Sequence, residues 1–452
     1  MRPISIVCTI GPRSKCAKKI KEFYDAGMSL ARLNGSHGNL DWHKETVELI
    51  RKTLPDLPIL IDIPGKKIRT KDLEVEPTFS IGDVITLTCD QQDPGVHKIP
   101  INNESLFEKM KPGDIIFADD GTLKFKVKNI SERDIHCICL CAGKLKSRKG
   151  INVPQVSLDG DLVTDADRKM LAFVAENEID MVGVSFVESA AHLDLLRSQM
   201  LKWKPRIVAK IENKRGLDNV AEIVKSTDII MIDRGDLSVE TSISKTNVYQ
   251  KEIVHICKKF GTPVIVATEV LHTMISSPFP TKAEISDISN ATVDGANALM
   301  LSGETAIGDF PVEAIKTIFE VSKDVKKSIS QDTVERSCLE KINSVLDTLS
   351  FDKLIVKPGD SDCFKYLAFI NQNDRTTVLF DNEQDLRVTK FLGDFNMISN
   401  AVLDVSSGTL PHKIIRRMRE RGHFSEGEKV CFIAFQTAQQ RLNVTDLLLT
   451  ST

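Results

Sequence analysis

Short apolar runs recur along the chain, separated by amphipathic stretches. "SIVCTIG" (5–11) opens the series, and Ala17, Ile20, Phe23 and Tyr24 follow at helical spacing. Ser14 stands where an N-cap is expected and Gly27 where a helix would stop. "MSLARLN" (28–34) and "PILIDIPG" (58–65) are the second and third runs. Residues 71–153 change the rhythm. Alternating strands such as "DVITLTC" (83–89), "DIIFADDGTLKFKV" (114–127) and "DIHCICLC" (134–141) are punctuated by Gly, Pro and Asp-Gly turns, with no convincing amphipathic helix. This predicts an all-β insertion.

The first rhythm then resumes with "DMVGVSF" (180–186), "RIVAKIE" (206–212), "DIIMIDRGD" (228–236), "PVIVATE" (263–269) and "ALMLSGE" (298–304). Helical stretches such as "HLDLLRSQML" and "YQKEIVHICKKFG" lie between them. Three runs before the insertion and five after it predict an α/β fold, a parallel (β/α)8 TIM barrel. An open doubly wound sheet also holds eight strands, but nothing like GxGxxG follows the first run. From about residue 327, "FDKLIVK", "TTVLF" and "EKVCFIAF" read as strands and "LPHKIIRRMRERG" as a helix with apolar and basic faces. The expected organisation is a barrel over 1–70 and 154–326, an inserted β-barrel lid over 71–153, and a C-terminal α/β domain over 327–452. The basic helix admits two readings, a site for an anionic partner or a solvated face.

Composition changes little. The 452 residues are 41% apolar and 27% charged, ordinary for a globular protein, and the net charge of −3 points to neither nucleic acid nor membrane. "MRPISIVCTIGP" lacks the long apolar core of a signal peptide, and no run approaches the roughly 20 residues that span a bilayer. Ten cysteines are scattered without a CxxC pair, so a reduced, cytoplasmic setting is expected. Cys137, Cys139 and Cys141 share one strand face, which suits a half-buried strand better than a metal site.

In such barrels chemistry sits at the C-terminal strand ends. There this chain places Arg32, Asn34, Ser36 and His37 on the second strand, Asp62, Lys66, Lys67 and Arg69 on the third, and Ser185 on the fourth. Lys210 and Glu212 end the fifth, Arg234 and Asp236 the sixth, Thr268 and Glu269 the seventh, Ser302 and Glu304 the eighth. Side chains alternate along a strand, so Lys210 and Glu212 face one space. A solvated salt bridge explains that pair alone, but not so many convergent ionisable groups. Glu212 and Asp236, from neighbouring strands, suit Mg²⁺ or Mn²⁺, which prefer hard oxygen ligands. Lys210 and Arg32 beside such an ion form an apparatus for stabilising a transferring phosphoryl group. Gly235, at the turn before a helix, offers backbone N–H groups to a carboxylate.

"CTIGP", "ARLNGSHG", "AKIEN", "DRGDL", "PTKAEISD" and "MLSGETAIGDFPVEA", with "ADDG" and "KGINVP" in the insertion, resemble the pyruvate kinase family over residues 4–326. The resemblance implies phosphoryl transfer from phosphoenolpyruvate to ADP, giving pyruvate and ATP. It implies Lys210 and Arg32 at the phosphoryl group, and Glu212 and Asp236 on a Mg²⁺ that holds phosphoenolpyruvate. The Gly235 and Asp236 amides and Thr268 would meet the substrate carboxylate. A second Mg²⁺ would travel with the nucleotide, near Asn34, His37, Arg69 and Lys149. Thr268, Ser302 and Glu304 are candidates for protonating the enolate, and the insertion would close as a lid. Asn34, Ser36, Asp62 and the Ile63 carbonyl resemble a K⁺ site. Lys67 stands where K⁺-dependent members carry glutamate, which implies that K⁺ is not required. Homo-oligomers, tetramers or dimers, are implied too.

The chain departs from the family pattern in places. Gly35 replaces the usual Phe, "DTKGPEIRT" reads "DIPGKKIRT", "ARGDLG" reads "DRGDLS", and "ATQML" reads "ATEVL". Neither the activator-site phosphate loop nor the Gly-rich closing loop is recognisable after residue 327. No activation by fructose bisphosphate is therefore expected. Two rivals stay open: an impaired paralogue that binds or scaffolds, and a Mg²⁺-dependent pyruvate aldolase or lyase.

Overall fold

The computed structural model describes residues 3–89, 98–119, 121–131, 133–154, 156, 161–200, 203–328, 343, 346–358, 367–370, 375–393, 395–406, 409–438 and 441–451. Asp120 of "ADDG", Leu201 of the "HLDLLRSQML" stretch and part of the 327–452 segment lie outside them.

The eight apolar runs become eight parallel strands: β1 Ser5–Thr9, β2 Met28–Asn34, β3 Ile59–Ile63, β4 Met181–Val184, β5 Arg206–Ile211, β6 Ile229–Asp233, β7 Val264–Ala267 and β8 Ala298–Leu301. They close into a barrel in chain order, β8 pairing with β1. Most strand positions are buried on both faces, which explains the near-continuous apolar runs. The inner face packs Val7, Leu30, Leu60, Met181, Val208, Met231, Ile265 and Met300, and the outer face packs against the helices. No helix among the described residues is long and apolar enough to cross a membrane.

Two local expectations fail in the first βα unit. The helix spans Ala17–Ala26 with Cys16, not Ser14, at its N-cap. The Ser14 hydroxyl instead accepts the Gly11 N–H at 2.9 Å, because the chain makes an extra tight turn before the helix. Ile20 and Phe23 are buried, whereas Tyr24 is 48% exposed on the helix flank. Gly27 stops the helix at φ 123°.

Between β3 and β4 the chain builds a seven-stranded sheet with its own apolar core. Among the described residues a short helix, Leu106–Lys109, interrupts it, too short for the periodicity to reveal. Cys137 and Cys139 are buried in this core, Cys141 lies beyond the strand, and among the described residues these thiols form no metal cluster. Ile68–Arg69 pairs with Gly150–Asn152, so the insertion's entry and exit strands lie side by side at the barrel mouth.

The C-terminal sheet has the order Asn396–Ser399, Thr376–Phe380, Lys353–Pro358, Lys429–Ala438 and Arg441–Ser451, the last strand antiparallel. Its helix Glu383–Leu392 docks at the base of the barrel. Val388 and Phe391 join the inner barrel core, and the Ser5 hydroxyl donates to the Phe391 carbonyl at 2.8 Å. Arg387 pairs with fully buried Asp180 at 2.7 Å, and Arg206 with Asp385 at 3.0 Å. Phe391→Ala should therefore destabilise the whole chain by about 3–5 kcal/mol, the usual cost of emptying a buried aromatic site. Chemical denaturation should show this loss. An unchanged midpoint would mean that the helix does not plug the barrel.

Candidate active site

Strand register sets the cleft. Asp62 pairs with Asn34 on one side and Gly183 on the other, while Lys210 lies beside Met231. Arg32, on β2, reaches Asp62 on β3 with two bonds, Nε at 3.1 Å and Nη2 at 2.6 Å, and donates to Thr9 at 3.1 Å. A Cβ at Gly183 would fall 2.2 Å from Asp62 Oδ1, and one at Gly35 would fall 2.0 Å from the Asp62 carbonyl oxygen. In this backbone the second contact leaves no room for a side chain at Gly35.

Lys210 occupies the middle. Its Nζ lies 2.6 Å from Glu212, 3.2 Å from Asp233, 3.7 Å from Asp62 and 3.5 Å from the Ser185 hydroxyl. Burial alone would lower its pKa, but the carboxylates of Glu212, Asp233 and Asp62 outweigh burial and raise it well above the usual lysine value. It is a fixed ammonium. Burial pushes Glu212 up to about 8, while Lys210 and then Lys67 outweigh burial at Asp233 and hold it down at about 2. Glu212 also accepts the Phe186 N–H at 2.6 Å.

Glu212, Asp233 and Asp236 each offer one oxygen within 4.8 Å of the other two. All three are buried. These hard oxygen donors fit Mg²⁺ or Mn²⁺ and suit no soft or imidazole-seeking metal. Lys67, expected near Asn34, Ser36 and Asp62, sends its ammonium to both Asp236 oxygens, at 2.5 and 2.7 Å. Asn152, on the exit strand of the insertion, joins Asp236 at 3.3 Å and Glu240 at 2.9 Å.

The turn after β7 is strained. Thr268 and Glu269, neither of them glycine, have φ of 67° and 53°. Buried Arg234 holds their carbonyls, at 2.8 Å to Thr268 and 3.0 Å to Glu269, and is itself clamped by Asp287 at 2.7 Å. Sequence reading placed Arg234 at a strand end without this bracing role; the arginine directly before Gly-Asp was the available signal. The Thr268 hydroxyl accepts the Gly235 N–H at 2.8 Å, so in this structure that amide is spent on Thr268. Glu304 is buried and accepts the Leu271 and Ser302 N–H groups at 3.2 and 2.8 Å, tying β8 to the β7 loop. The Ser302 hydroxyl is buried and meets no hydrogen-bond partner among the described residues.

The nucleotide-side candidates gather around His37. Burial, then Arg69, Arg32 and Lys149, push His37 below the ordinary histidine pKa, so it is neutral near pH 7. Arg69 donates to the Arg148 carbonyl at 3.1 Å, Lys149 pairs with Asp119 at 2.7 Å, and Asn34 accepts the Ser36 N–H at 3.1 Å. Ile63 ends β3, fully buried.

A family model described as the pyruvate kinase barrel domain matches residues 1–315. A pyruvate kinase of Clostridium perfringens is 40% identical over 346 residues, covering 74% of this chain and 73% of that protein. One of Thermotoga maritima is 37% identical over 338 residues, 73% of this chain and 72% of its own length. One of Staphylococcus aureus is 37% identical over 361 residues, 76% of this chain and 61% of its own. The extent and identity of these matches establish that the chain belongs to the pyruvate kinase family.

Proposed function

We propose that this cleft transfers the phosphoryl group of phosphoenolpyruvate to ADP, giving pyruvate and ATP. The carrying observation is the Lys210 ammonium, buried among Glu212, Asp233 and Asp62 beside the Arg32 guanidinium. The enol-phosphate P–O bond breaks as a β-phosphate oxygen of ADP takes the phosphoryl group. Lys210 and Arg32 are preorganised donors for the charge on the three equatorial oxygens. Glu212 and Asp236 would hold a Mg²⁺, which would supply further positive charge to the substrate, and a second Mg²⁺ would accompany the nucleotide. Asn34, His37, Arg69 and Lys149 line the nucleotide side. Thr268, with the Asp236 and Gly235 amides beside it, orients the substrate carboxylate, and Thr268, Ser302 and Glu304 lie on the side from which the enolate carbon takes its proton. Closure of the β insertion excludes water that would compete for the phosphoryl group.

A coupled assay of ATP formation from phosphoenolpyruvate and ADP tests the reading. An aldolase or lyase would cleave a pyruvate adduct without making ATP, and a binding paralogue would do neither. The natural setting in this reading is the cytoplasm, as a homo-oligomer, and light scattering measures the assembly. Lys67 already supplies a monovalent positive charge in the cleft, so no K⁺ is required.

Fructose bisphosphate should leave the apparent Michaelis constant for phosphoenolpyruvate unchanged. Phosphate effectors need convergent free donors and cations. In the basic helix Pro411–Glu420, Arg416 is paired with Glu420 at 2.8 Å, and Arg417 with Asp404 at 3.6 Å. A clear fall in that constant on adding the effector would refute the expectation.

A further inference from the structure

The carboxylates at the mouth of β5 and β6 are not equally available to a cation. Both Asp236 oxygens are taken by the Lys67 ammonium, and Asn152 holds one of them as well. Glu212 is shared between Lys210 and the Phe186 N–H. Asp233 closes β6, and its side chain enters the same space. One oxygen accepts from Thr268 at 3.2 Å, and the other lies 3.2 Å from Lys210. Two ammonium groups thus already sit in the volume that these carboxylates enclose, which marks it as a place built for positive charge.

We propose that Asp233 is a third carboxylate ligand of the divalent ion, so that the site is Glu212, Asp233 and Asp236. The inference rests on the phosphotransferase reading above. An octahedral ion with oxygens at about 2.0–2.1 Å holds them roughly 3–4 Å apart. The three oxygens, all within 4.8 Å of one another, reach that spacing by a shift of under about 1 Å. Lys67 neutralises much of the charge that Asp236 would give a metal, and Asp233 restores it one residue beyond β6's last apolar position. In the family pattern the residue at 233 is alanine, and K⁺-dependent members carry glutamate at 67. This chain therefore exchanges a carboxylate for an ammonium at 67 and gains a carboxylate at 233, so Asp233 offsets part of the positive charge that Lys67 brings to the ion's surroundings. Ligand number and charge set affinity at such oxygen sites, so Asp233 decides how tightly the ion is held.

The test is Mn²⁺ binding to the full chain without substrate, followed by electron paramagnetic resonance, with the waters on the ion counted by proton relaxation. Asp233→Ala should weaken Mn²⁺ binding by on the order of tenfold and add one water to the bound ion. Asp233→Asn, which keeps shape and a weaker oxygen donor, should fall between, and serves if the alanine variant folds poorly. In a Lys67→Met background Asp236 is released, and the loss caused by Asp233→Ala should shrink. Unchanged affinity overturns the proposal, and so does weaker binding with an unchanged water count, because Asp233 would then act only through its field. Glu212→Gln is the control. If it too leaves Mn²⁺ binding intact, the metal assignment fails as a whole. If it abolishes binding while Asp233→Ala does not, only the third ligand is lost.

Discussion

Lys210→Met should nearly abolish ATP formation from phosphoenolpyruvate and ADP while the protein stays folded. Lys210 is 5% exposed and its ammonium is held by three carboxylates, so its position is fixed before substrate arrives. Charge gathers on the transferring phosphoryl group only as the bond breaks, and a preorganised cation acts on that difference. Removing one such donor from a dry site costs about 3–4 kcal/mol of transition-state stabilisation, or on the order of 10²–10³ in kcat. Phosphoenolpyruvate affinity should change much less. The substitution also leaves Glu212, Asp233 and Asp62 facing one another, which favours protonated carboxyls and tighter cation binding. Mn²⁺ should then bind at least as tightly as in the unsubstituted protein. Circular dichroism controls for folding. A folded Lys210→Met protein with near-normal turnover would remove Lys210 from the chemistry.

The barrel was legible because its strands are buried on both faces and leave apolar runs, while the polar residues fall where those runs end. Period-two alternation was enough to place Lys210 and Glu212 in one space, and the structure sets them 2.6 Å apart. Contacts made after a strand ends leave no such periodicity. Lys67 and Asp236 are 169 residues apart, and their pairing depends on how the hinge segment crosses from β3 to β6. The Arg234 brace on Thr268 and Glu269 was hidden for the same reason, since its partners are carbonyls of a left-handed turn. Asp233 was visible as a departure from the family pattern, but its contacts with Lys210 and Thr268 needed the closed barrel. The docking of helix Glu383–Leu392 was also out of reach, because an amphipathic pattern shows that a face is buried without showing against what.

Lys67→Glu should lower activity in K⁺-free, Na⁺-free buffer by on the order of 10²-fold, whereas the unsubstituted enzyme should work there nearly as well as with K⁺. The Lys67 side chain is 11% exposed, and its ammonium is bonded to both Asp236 oxygens and 5.7 Å from the Phe186 ring centroid, a setting in which charge is weakly screened. Two unit charges about 4 Å apart interact by roughly 4 kcal/mol at an effective dielectric constant of 20. Glutamate turns that attraction into repulsion of similar size and removes a cation from the cleft. Divalent-ion affinity should move the other way. Asp236 is freed and the cluster gains a carboxylate, so Mn²⁺ should bind no more weakly than before while turnover falls. That split separates an electrostatic role in the reaction from a collapsed metal site. Added K⁺ should restore part of the lost rate. The buried Asp62 Oδ1 has no hydrogen-bond partner among the described residues, and Asn34 and Ser36 lie on the neighbouring strand and turn. Ile63 and Pro64 replace the polar pair of the family pattern, so full recovery is not expected. An unsubstituted enzyme that stays silent until K⁺ is added would refute the role given to Lys67.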